Sequence, residues 1–324
     1  MRIAVTGSVA TDHLMTFPGK FTEQLIADKL DRVSLSFLVD GLDIRRGGVA
    51  ANIAFGMGCL GLRPLLVGAV GPDFAEYRSW LEDHGVDTGE VLESQRFHTA
   101  RFVCTTDADG NQIASFYPGA MTDARDIAIE EVAARAGGLD LVLIGADDPE
   151  AMFRHTSACA AAGIPFAADP SQQLPRMDGE QTRALVDGAA YLFSNEYETA
   201  LIERKTGWAK DEIAGHVGVQ VTTLGPQGAR ITRAGQPPVT VPAVPDVQAL
   251  DPTGAGDAFR AGFLAALAWE LPVERAGQLG CLLAASVLET VGTQEYELKN
   301  TAVTERLAAA YGPAAAEEVA VHLG

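Results

Sequence analysis

The amino-acid sequence predicts an α/β protein with a mainly parallel sheet and a small antiparallel subdomain. Three observations predict this class. From residue 140 onward, short apolar segments alternate with helix-length segments, which is typical of βαβ units. Two stretches, 12–46 and 96–117, interrupt that alternation with features of antiparallel strands. A glycine-rich stretch, 251–259, then begins a long apolar helix.

Composition narrows the possible functions. The chain has 324 residues, of which 47% are hydrophobic and 21% are charged, as in globular proteins. Its net charge of −19 argues against a nucleic-acid partner, which needs clustered basic residues. The four cysteines and six histidines form no zinc motif. No membrane-spanning apolar run and no signal peptide are recognised, so we expect no membrane partner and a cytoplasmic location.

The first strand, residues 2–7, is apolar enough to lie inside a parallel sheet. It lacks the GxGxxG pattern, which disfavours a dinucleotide site. Ser8 and Asp12 follow its carboxyl end, where open α/β sheets bind their ligands. For Asp12 alone, a loop-capping role is at least as good an interpretation.

The interrupting stretches carry strand patterns of their own. Residues 33–39 alternate apolar and polar side chains, which predicts a half-buried strand. Residues 99–105 and 112–117 flank a hairpin turn at Asp109-Gly110. We assign both stretches to the antiparallel subdomain.

Between them, a glycine pair, Gly47-Gly48, opens a helix that we expect to end at Gly61. Glycines at a helix start let backbone approach a ligand, and Asn52 lies one turn further on. The alternative is that the pair serves helix–sheet packing.

From residue 140 the alternation of strands and helices is regular. Polar or glycine-bearing loops, 169–173, 194–198 and 224–228, follow three of the strands on the expected ligand side. Prolines in 239–245 indicate an edge strand. The predicted strands are 141–144, 165–168, 190–193 and 217–223, with a helix over 149–162.

The stretch 251–259 indicates an anion site. Gly254 and Gly256 allow a ligand to approach the unpaired N–H groups of a helix start, where the helix dipole is positive. Asp257 falls on the first turn, where a carboxylate is a plausible general base for a hydroxyl attacking a phosphate. The alternative is that Thr253 or Asp257 merely caps a buried helix.

The two glycine-rich helix starts together resemble the signatures of the ribokinase-like (PfkB) carbohydrate kinase family. The second signature is matched in full from Asp251 through Leu264. The resemblance covers nearly the whole chain and implies one catalytic domain, 1–324, with a ribokinase-like parallel-sheet sandwich. It also implies a small β-sheet lid formed by 12–46 and 96–117. The first signature is filled by Gly47, Gly48, Ala50, Asn52, Ala54, Gly61 and Gly71.

Within that family the chain is most similar to the bacterial adenosine kinases, through residues 34–40, 113–121, 169–174 and 289–295. This implies transfer of the γ-phosphoryl group of ATP to the 5′-hydroxyl of adenosine, giving AMP in purine salvage. Two alternatives stay open. One is a sugar kinase for ribose or fructose, and the other is a non-catalytic nucleoside-binding protein. The retained Asp257 argues against the second, since binding alone needs no base.

The resemblance implies roles for particular residues. Asp257 would be the base, and the backbone N–H groups of 254–257, which include Gly254, Ala255 and Gly256, would form the anion hole. Phe102 and Phe116 would contact the purine unless they are simply lid core. The remaining nucleoside-binding residues would be Ser8, Asp12, Gly48 and Asn52 at the ribose, with Ser36, Gln172 and Gln173 at base or sugar.

Donor binding and assembly follow from the same resemblance. Thr223, Gly225, Gly228 and Asn195 would line the ATP site. Glu198, with Asn195, would organise Mg²⁺ through water, although a surface helix start is the alternative for this pair. K⁺ would be an activator, and open lid edges would favour a homodimer through the lid.

Overall fold

The computed structural model describes residues 1–25 and 35–323. Its main sheet has eight strands. Six of them run parallel, and the two that come last in the sequence form an antiparallel edge. In spatial order the strands are β14 (Val239–Val241), β13 (Ala229–Thr232), β12 (Val219–Thr223), β11 (Tyr191–Asn195), β10 (Phe166–Ala168), β9 (Leu141–Ile144), β1 (Ile3–Thr6) and β4 (Leu65–Val67).

Helices cover both faces of this sheet, because side chains alternate along each buried strand. Ile3 and Val5 join one buried cluster, while Ala4 joins the other. The helices are α1 (Phe21–Gln24), α2 (Val49–Cys59), α3 (Ala75–Asp83), α4 (Ile129–Ala136), α5 (Pro149–Ala162), α6 (Gly179–Val186), α7 (Glu196–Thr206), α8 (Lys210–His216), α9 (Ala255–Ala268), α10 (Val273–Leu288), α11 (Asn300–Tyr311) and α12 (Pro313–Ala320).

The face that carries α2, α9 and α10 positions the start of α9. Phe263 of α9 lies edge-on to Phe193 of β11, with ring centroids 5.3 Å apart. Both rings are fully buried. This packing holds the amino end of α9 beside the carboxyl ends of the parallel strands, where α/β sheets bind ligands.

A separate sheet of four strands stands apart from the main one. Its order is β3 (Gly41–Gly47), β2 (Ala10–Thr16), β7 (Ala100–Thr106) and β8 (Gln112–Tyr117). The β7–β8 hairpin turns at Gly110, where φ is +82°. A further two-stranded pair joins β5 (Ala69–Val70) to β6 (Leu92–Glu93). That the four-stranded sheet works as a lid remains a prediction.

Most predicted elements are found, with one displaced strand. The helix over 149–162, the interior first strand and the edge position of 239–241 are confirmed. The strand predicted at 33–39 is wrong over 35–39, and its first two residues lie outside the described part. Residues 35–40 do alternate between half-buried and exposed side chains. Within the described residues, 35–39 belong to no strand, and Phe37 packs instead on the ring of Phe17, with centroids 4.8 Å apart.

No helix in the described ranges combines the length and apolarity that crossing a bilayer requires.

Candidate active site

The turn before α9 leaves helix N–H groups available for a ligand. Gly254 is the N-cap residue in a left-handed conformation, with φ of +78°. The first intrahelical bond runs from the N–H of Ala258 to the carbonyl of Gly254, at 2.9 Å. No side chain caps this helix start in the described part of the chain. The capping alternative for Thr253 and Asp257 is therefore wrong, and the N–H groups of Gly256 and Asp257 are available to an anion.

Glycine at 254 is required by shape as well as by conformation. A Cβ there would lie 2.7 Å from Cγ2 of Thr293. Gly48, the N-cap of α2, has the same constraint, since its φ is +97° and a Cβ would lie 2.6 Å from the Ser8 carbonyl. Gly48 thus serves close packing, and it also borders a cavity.

Two cavities lie on either side of the α9 turn. Cavity 1, of about 420 Å³, is bordered by Thr253, Gly254 and Asp257. Cavity 2, of about 670 Å³, is bordered by Pro252, Ala255 and Gly256. One backbone turn therefore separates two chambers, which is the arrangement that transfer of a group between two bound molecules requires.

Cavity 1 brings together eight of the nine residues predicted to bind the nucleoside. They are Ser8, Asp12, Gly48, Asn52, Phe102, Phe116, Gln172 and Gln173. The ninth, Ser36, does not line the cavity and is exposed. Its segment is held elsewhere by the contacts of Phe37 with Phe17 and Phe21. Alternating polarity in the sequence could not show where this segment lies.

The aromatic pair of the small sheet faces cavity 1. Phe102 of β7 and Phe116 of β8 are directly opposite each other in register. Phe116 is 46% exposed, and neither ring belongs to a buried hydrophobic cluster of the described residues. Because both rings border cavity 1 outside those clusters, the packing of the described residues does not favour the lid-core alternative. Exposed aromatic faces at a cavity suit stacking on a planar ring.

Asp257 carries the carboxylate at the junction of the site. It is half-buried, and its Oδ2 accepts a hydrogen bond of 2.8 Å from Nδ2 of Asn52. Burial raises the pKa of Asp257, while the Asn52 bond and the Arg260 charge lower it. The charge of Glu198 raises it again. A carboxylate whose pKa is raised is a stronger base, which suits proton abstraction from a hydroxyl.

Sequence reasoning missed a buried ion pair under this turn. Arg260 and Asp169 are 5% and 1% exposed, and Nη2 of Arg260 donates to Oδ1 of Asp169 at 2.6 Å. Nη1 of Arg260 donates to the carbonyl of Gly256 at 2.9 Å. The pair thus attaches the α9 turn to the loop after β10. A charged residue in an apolar helix, Arg260, was the available signal.

A second missed group lies in the loop after α10. Thr293 Oγ1 and Gln294 Nε2 each donate to Oδ1 of Asn52, both at 2.9 Å. These residues are more than 240 positions from Asn52, so no local pattern pairs them. Arg176, exposed and bordering cavity 1, was missed as well.

Three of the four residues predicted to bind ATP border cavity 2. Thr223, Gly225 and Gly228 line it. At Gly228 φ is +95°, and a Cβ would meet the Val241 carbonyl. Asn195 and Glu198 line neither cavity, and they form a reciprocal capping box at the start of α7. The helix-start alternative therefore describes their local contacts.

The charge of Glu198 still acts on the site, because it raises the pKa of both Asp257 and Asp169. In the described part of the chain no three acidic, histidine or cysteine side chains form a metal cluster. The single carboxylate of Glu198 fits Mg²⁺, because this ion usually keeps several waters and takes phosphate oxygens as its other ligands.

The chain is similar to known proteins in both sequence and structure. The family model of the pfkB family carbohydrate kinases matches residues 6–300. A nucleoside kinase from Methanocaldococcus jannaschii is 30% identical over 94% of this chain and 96% of its own length. Ribokinase from Bacillus subtilis is 28% identical over 85% of this chain and 88% of that protein. The structure of a Burkholderia thailandensis nucleoside kinase in complex with inosine is 35% identical, with a TM-score of 0.82 over 96% of this chain and 98% of that one.

Proposed function

Because this chain belongs to the pfkB family of carbohydrate kinases and is an ATP-dependent phosphotransferase, we propose that its acceptor is a nucleoside. The observation that carries the proposal is the α9 turn standing between two cavities, one lined by predicted nucleoside contacts and the other by predicted ATP contacts. The reaction would place the γ-phosphoryl group of ATP on the 5′-hydroxyl. Adenosine is the nucleoside that the sequence resemblance favours, and it is part of the proposal.

A nucleoside explains cavity 1 better than a free sugar does. Asp12 and Gly48 offer a carboxylate and a backbone group to a vicinal diol. The aromatic pair Phe102 and Phe116 offers a planar base a larger stacking contact than it offers a free sugar. The relatives named nucleoside kinase, one of them solved with inosine, support the same reading.

The chain's own groups supply the chemistry in this proposal. Asp257 takes the proton of the attacking hydroxyl, and the N–H groups of Gly256 and Asp257 hold the charge that develops on the phosphoryl oxygens. Mg²⁺, held near Glu198 through water, would neutralise phosphate charge. K⁺ is proposed as an activator.

An acceptor panel tests the proposal. Phosphate transfer from ATP is measured for adenosine, inosine, guanosine, ribose and fructose, with Mg²⁺ and with or without K⁺. We expect kcat/KM for adenosine to exceed that for ribose and that for fructose, whether or not the other purine nucleosides do so. Similarity to ribokinase makes a sugar the second candidate acceptor. A kcat/KM for ribose that is higher than that for every nucleoside would establish it.

The pH dependence of acceptor binding should report Asp12. Burial raises the pKa of Asp12 to about 6, and the charge of Arg45 offsets only part of this effect. The ionised carboxylate accepts hydrogen bonds from two hydroxyls, so we expect KM for the acceptor to rise as pH falls below about 6. Asp12→Asn should raise KM by roughly tenfold and remove the pH dependence, because a hydrogen bond to a charged group contributes about 1.5–3 kcal/mol. A wild-type KM that stays flat from pH 5 to 8 would contradict this role.

The exposed edges of the small sheet support the proposed homodimer. Leu42 and Ile44 on β3 are 57% and 59% exposed, and Ile113 on β8 is 49% exposed. Unpaired strand edges bearing apolar side chains are ready partners for a second copy. Light scattering coupled to size exclusion should give twice the mass of the chain, 34.1 kDa. Leu42→Glu with Ile44→Glu should halve it.

A further inference from the structure

The strongest unassigned feature is a chain of buried side-chain amides that ends on Asp257. Gln294 is 1% exposed and lies in the loop after α10. It lines neither cavity, so it lies outside both proposed binding sites. Its hydrogen bonds nevertheless lead to the catalytic carboxylate in two steps, through Asn52.

The orientation of the Gln294 side-chain amide is fixed by Trp80, which can only donate a hydrogen bond. Nε1 of Trp80 donates to Oε1 of Gln294 at 3.2 Å. An indole N–H has no acceptor capacity, so the oxygen of Gln294 must face Trp80. The amide nitrogen of Gln294 is thereby turned toward Tyr77 and Asn52.

Tyr77 sets the same orientation of the Gln294 amide, because the backbone carbonyl of Gly47 can only accept a hydrogen bond. The hydroxyl of Tyr77 donates to the backbone carbonyl of Gly47 at 2.9 Å. Its only proton is used there, so its oxygen accepts from Nε2 of Gln294, at 2.5 Å. Trp80 and the Gly47 carbonyl therefore agree on one orientation of the Gln294 amide.

That orientation passes on to Asn52. Nε2 of Gln294 donates to Oδ1 of Asn52 at 2.9 Å, so Nδ2 of Asn52 must point the other way. The hydroxyl of Thr293 also lies 2.9 Å from Oδ1, but its single proton is shared with the Arg46 carbonyl at 3.0 Å, so the amide of Gln294 sets the orientation. It donates to Oδ2 of Asp257 at 2.8 Å. Oδ1 of Asp257 accepts no hydrogen bond from the described residues and is left for the acceptor hydroxyl. A flipped Asn52 would instead set a carbonyl oxygen against the carboxylate.

We propose that Gln294 is a positioning residue for phosphoryl transfer: it fixes the orientation of the Asn52 amide, so that the general base Asp257 keeps a hydrogen-bond donor on Oδ2 and presents Oδ1 to the acceptor. The inference rests on the proposed function only in the choice of acceptor, since Asp257 serves as base for a nucleoside or a sugar alike.

The test is the pH profile of kcat in Gln294→Met. Methionine has similar length and no group that orients Asn52. We expect kcat to fall about 10- to 100-fold, since hydrogen bonds to charged groups contribute about 1.5–3 kcal/mol. The acid limb of the profile should move up by about one pH unit, because the ionised form of Asp257 loses a donor. KM for the acceptor should stay within about twofold of the wild-type value, because Gln294 lines neither cavity.

The other ionisable groups near Asp257 are unchanged in this variant. They are Arg260 on the same helix, Glu198 at the start of α7, Asp169 after β10 and the buried hydroxyl of Tyr296. A shift of the limb is therefore attributable to the amide chain.

Thr182→Val is the matched control for lost stability. Thr182 is fully buried, and its Oγ1 donates to the Asp178 carbonyl at 2.7 Å on a helix that borders neither cavity. It should lower the melting temperature without moving the acid limb. A Gln294→Met profile that matches the control overturns the proposal.

Trp80→Phe gives a second, milder test. It keeps a ring to stack on Phe55 and removes the donor that sets the Gln294 amide. We expect a drop in kcat of about 3- to 10-fold with a limb shift in the same direction. This variant decides the question if Gln294→Met does not fold. If the wild-type enzyme prefers ribose, the nucleoside assignment fails while the same variants, assayed on ribose, still test the positioning role.

Discussion

Asp257→Asn is expected to lower kcat by about 10²- to 10⁴-fold while leaving nucleoside binding nearly intact, because a positioned general base typically contributes that factor. Asparagine has the shape of aspartate and cannot take the proton of the attacking hydroxyl. Asn52 would still contact it, since the amide oxygen can accept the bond that Oδ2 accepts now. Initial rates over a range of acceptor concentrations give kcat, and calorimetry gives the nucleoside Kd.

The matched control for this substitution is Asp178→Asn. Asp178 is the N-cap of α6 and accepts from the N–H of Gln181 at 2.8 Å. Asparagine caps helices as well as aspartate does, so the control should keep wild-type kcat and stability. An Asp257→Asn enzyme turning over within a few-fold of wild type would show that another group removes the proton.

The sequence predicted what depends on local backbone rules. The glycines at 48 and 254, a carboxylate on the first helical turn and the loops 169–173 and 224–228 each carry a short-range signal, and the structure places them around the two cavities. Glycine is informative there because both positions have positive φ.

What the sequence did not reveal depends on contacts made only by the folded chain. Arg260 and Asp169 are 91 positions apart, and Gln294 is 242 positions from Asn52. No periodicity joins such residues. The prediction that Ser36 binds the nucleoside had a different weakness. The alternating pattern around Ser36 is present, but such a pattern does not indicate which surface the segment packs against. The resemblance drew attention to 289–295, the loop after α10, but it gave Thr293 and Gln294 no partner.

Arg260→Met should lower the free energy of unfolding by about 3–5 kcal/mol, because removing one partner leaves a buried charge uncompensated. Arg260 is the partner of Asp169, and burial already raises the pKa of that carboxyl to about 6 despite the arginine. Without the arginine the pKa rises further. Urea unfolding followed by fluorescence at pH 5 and pH 8 measures the loss at each pH.

The sign of the pH dependence separates a lost charge from lost packing. A carboxyl whose folded pKa exceeds its unfolded value binds a proton on folding, so stability falls as pH rises between those two values. The deficit of Arg260→Met should therefore be larger at pH 8 than at pH 5. A packing defect would be equal at both.

Two further variants place this loss on the ion pair. Asp169→Leu combined with Arg260→Met should recover part of the stability, since a buried pair replaced by apolar groups is often neutral or stabilising. Arg275→Met breaks the pair with Glu318, whose side chain is 42% exposed, and should cost at most about 1 kcal/mol. If Arg260→Met costs no more than Arg275→Met, the pair under the α9 turn does not hold the turn in place. The anion site would then depend on Gly254 and its contact with Thr293 alone.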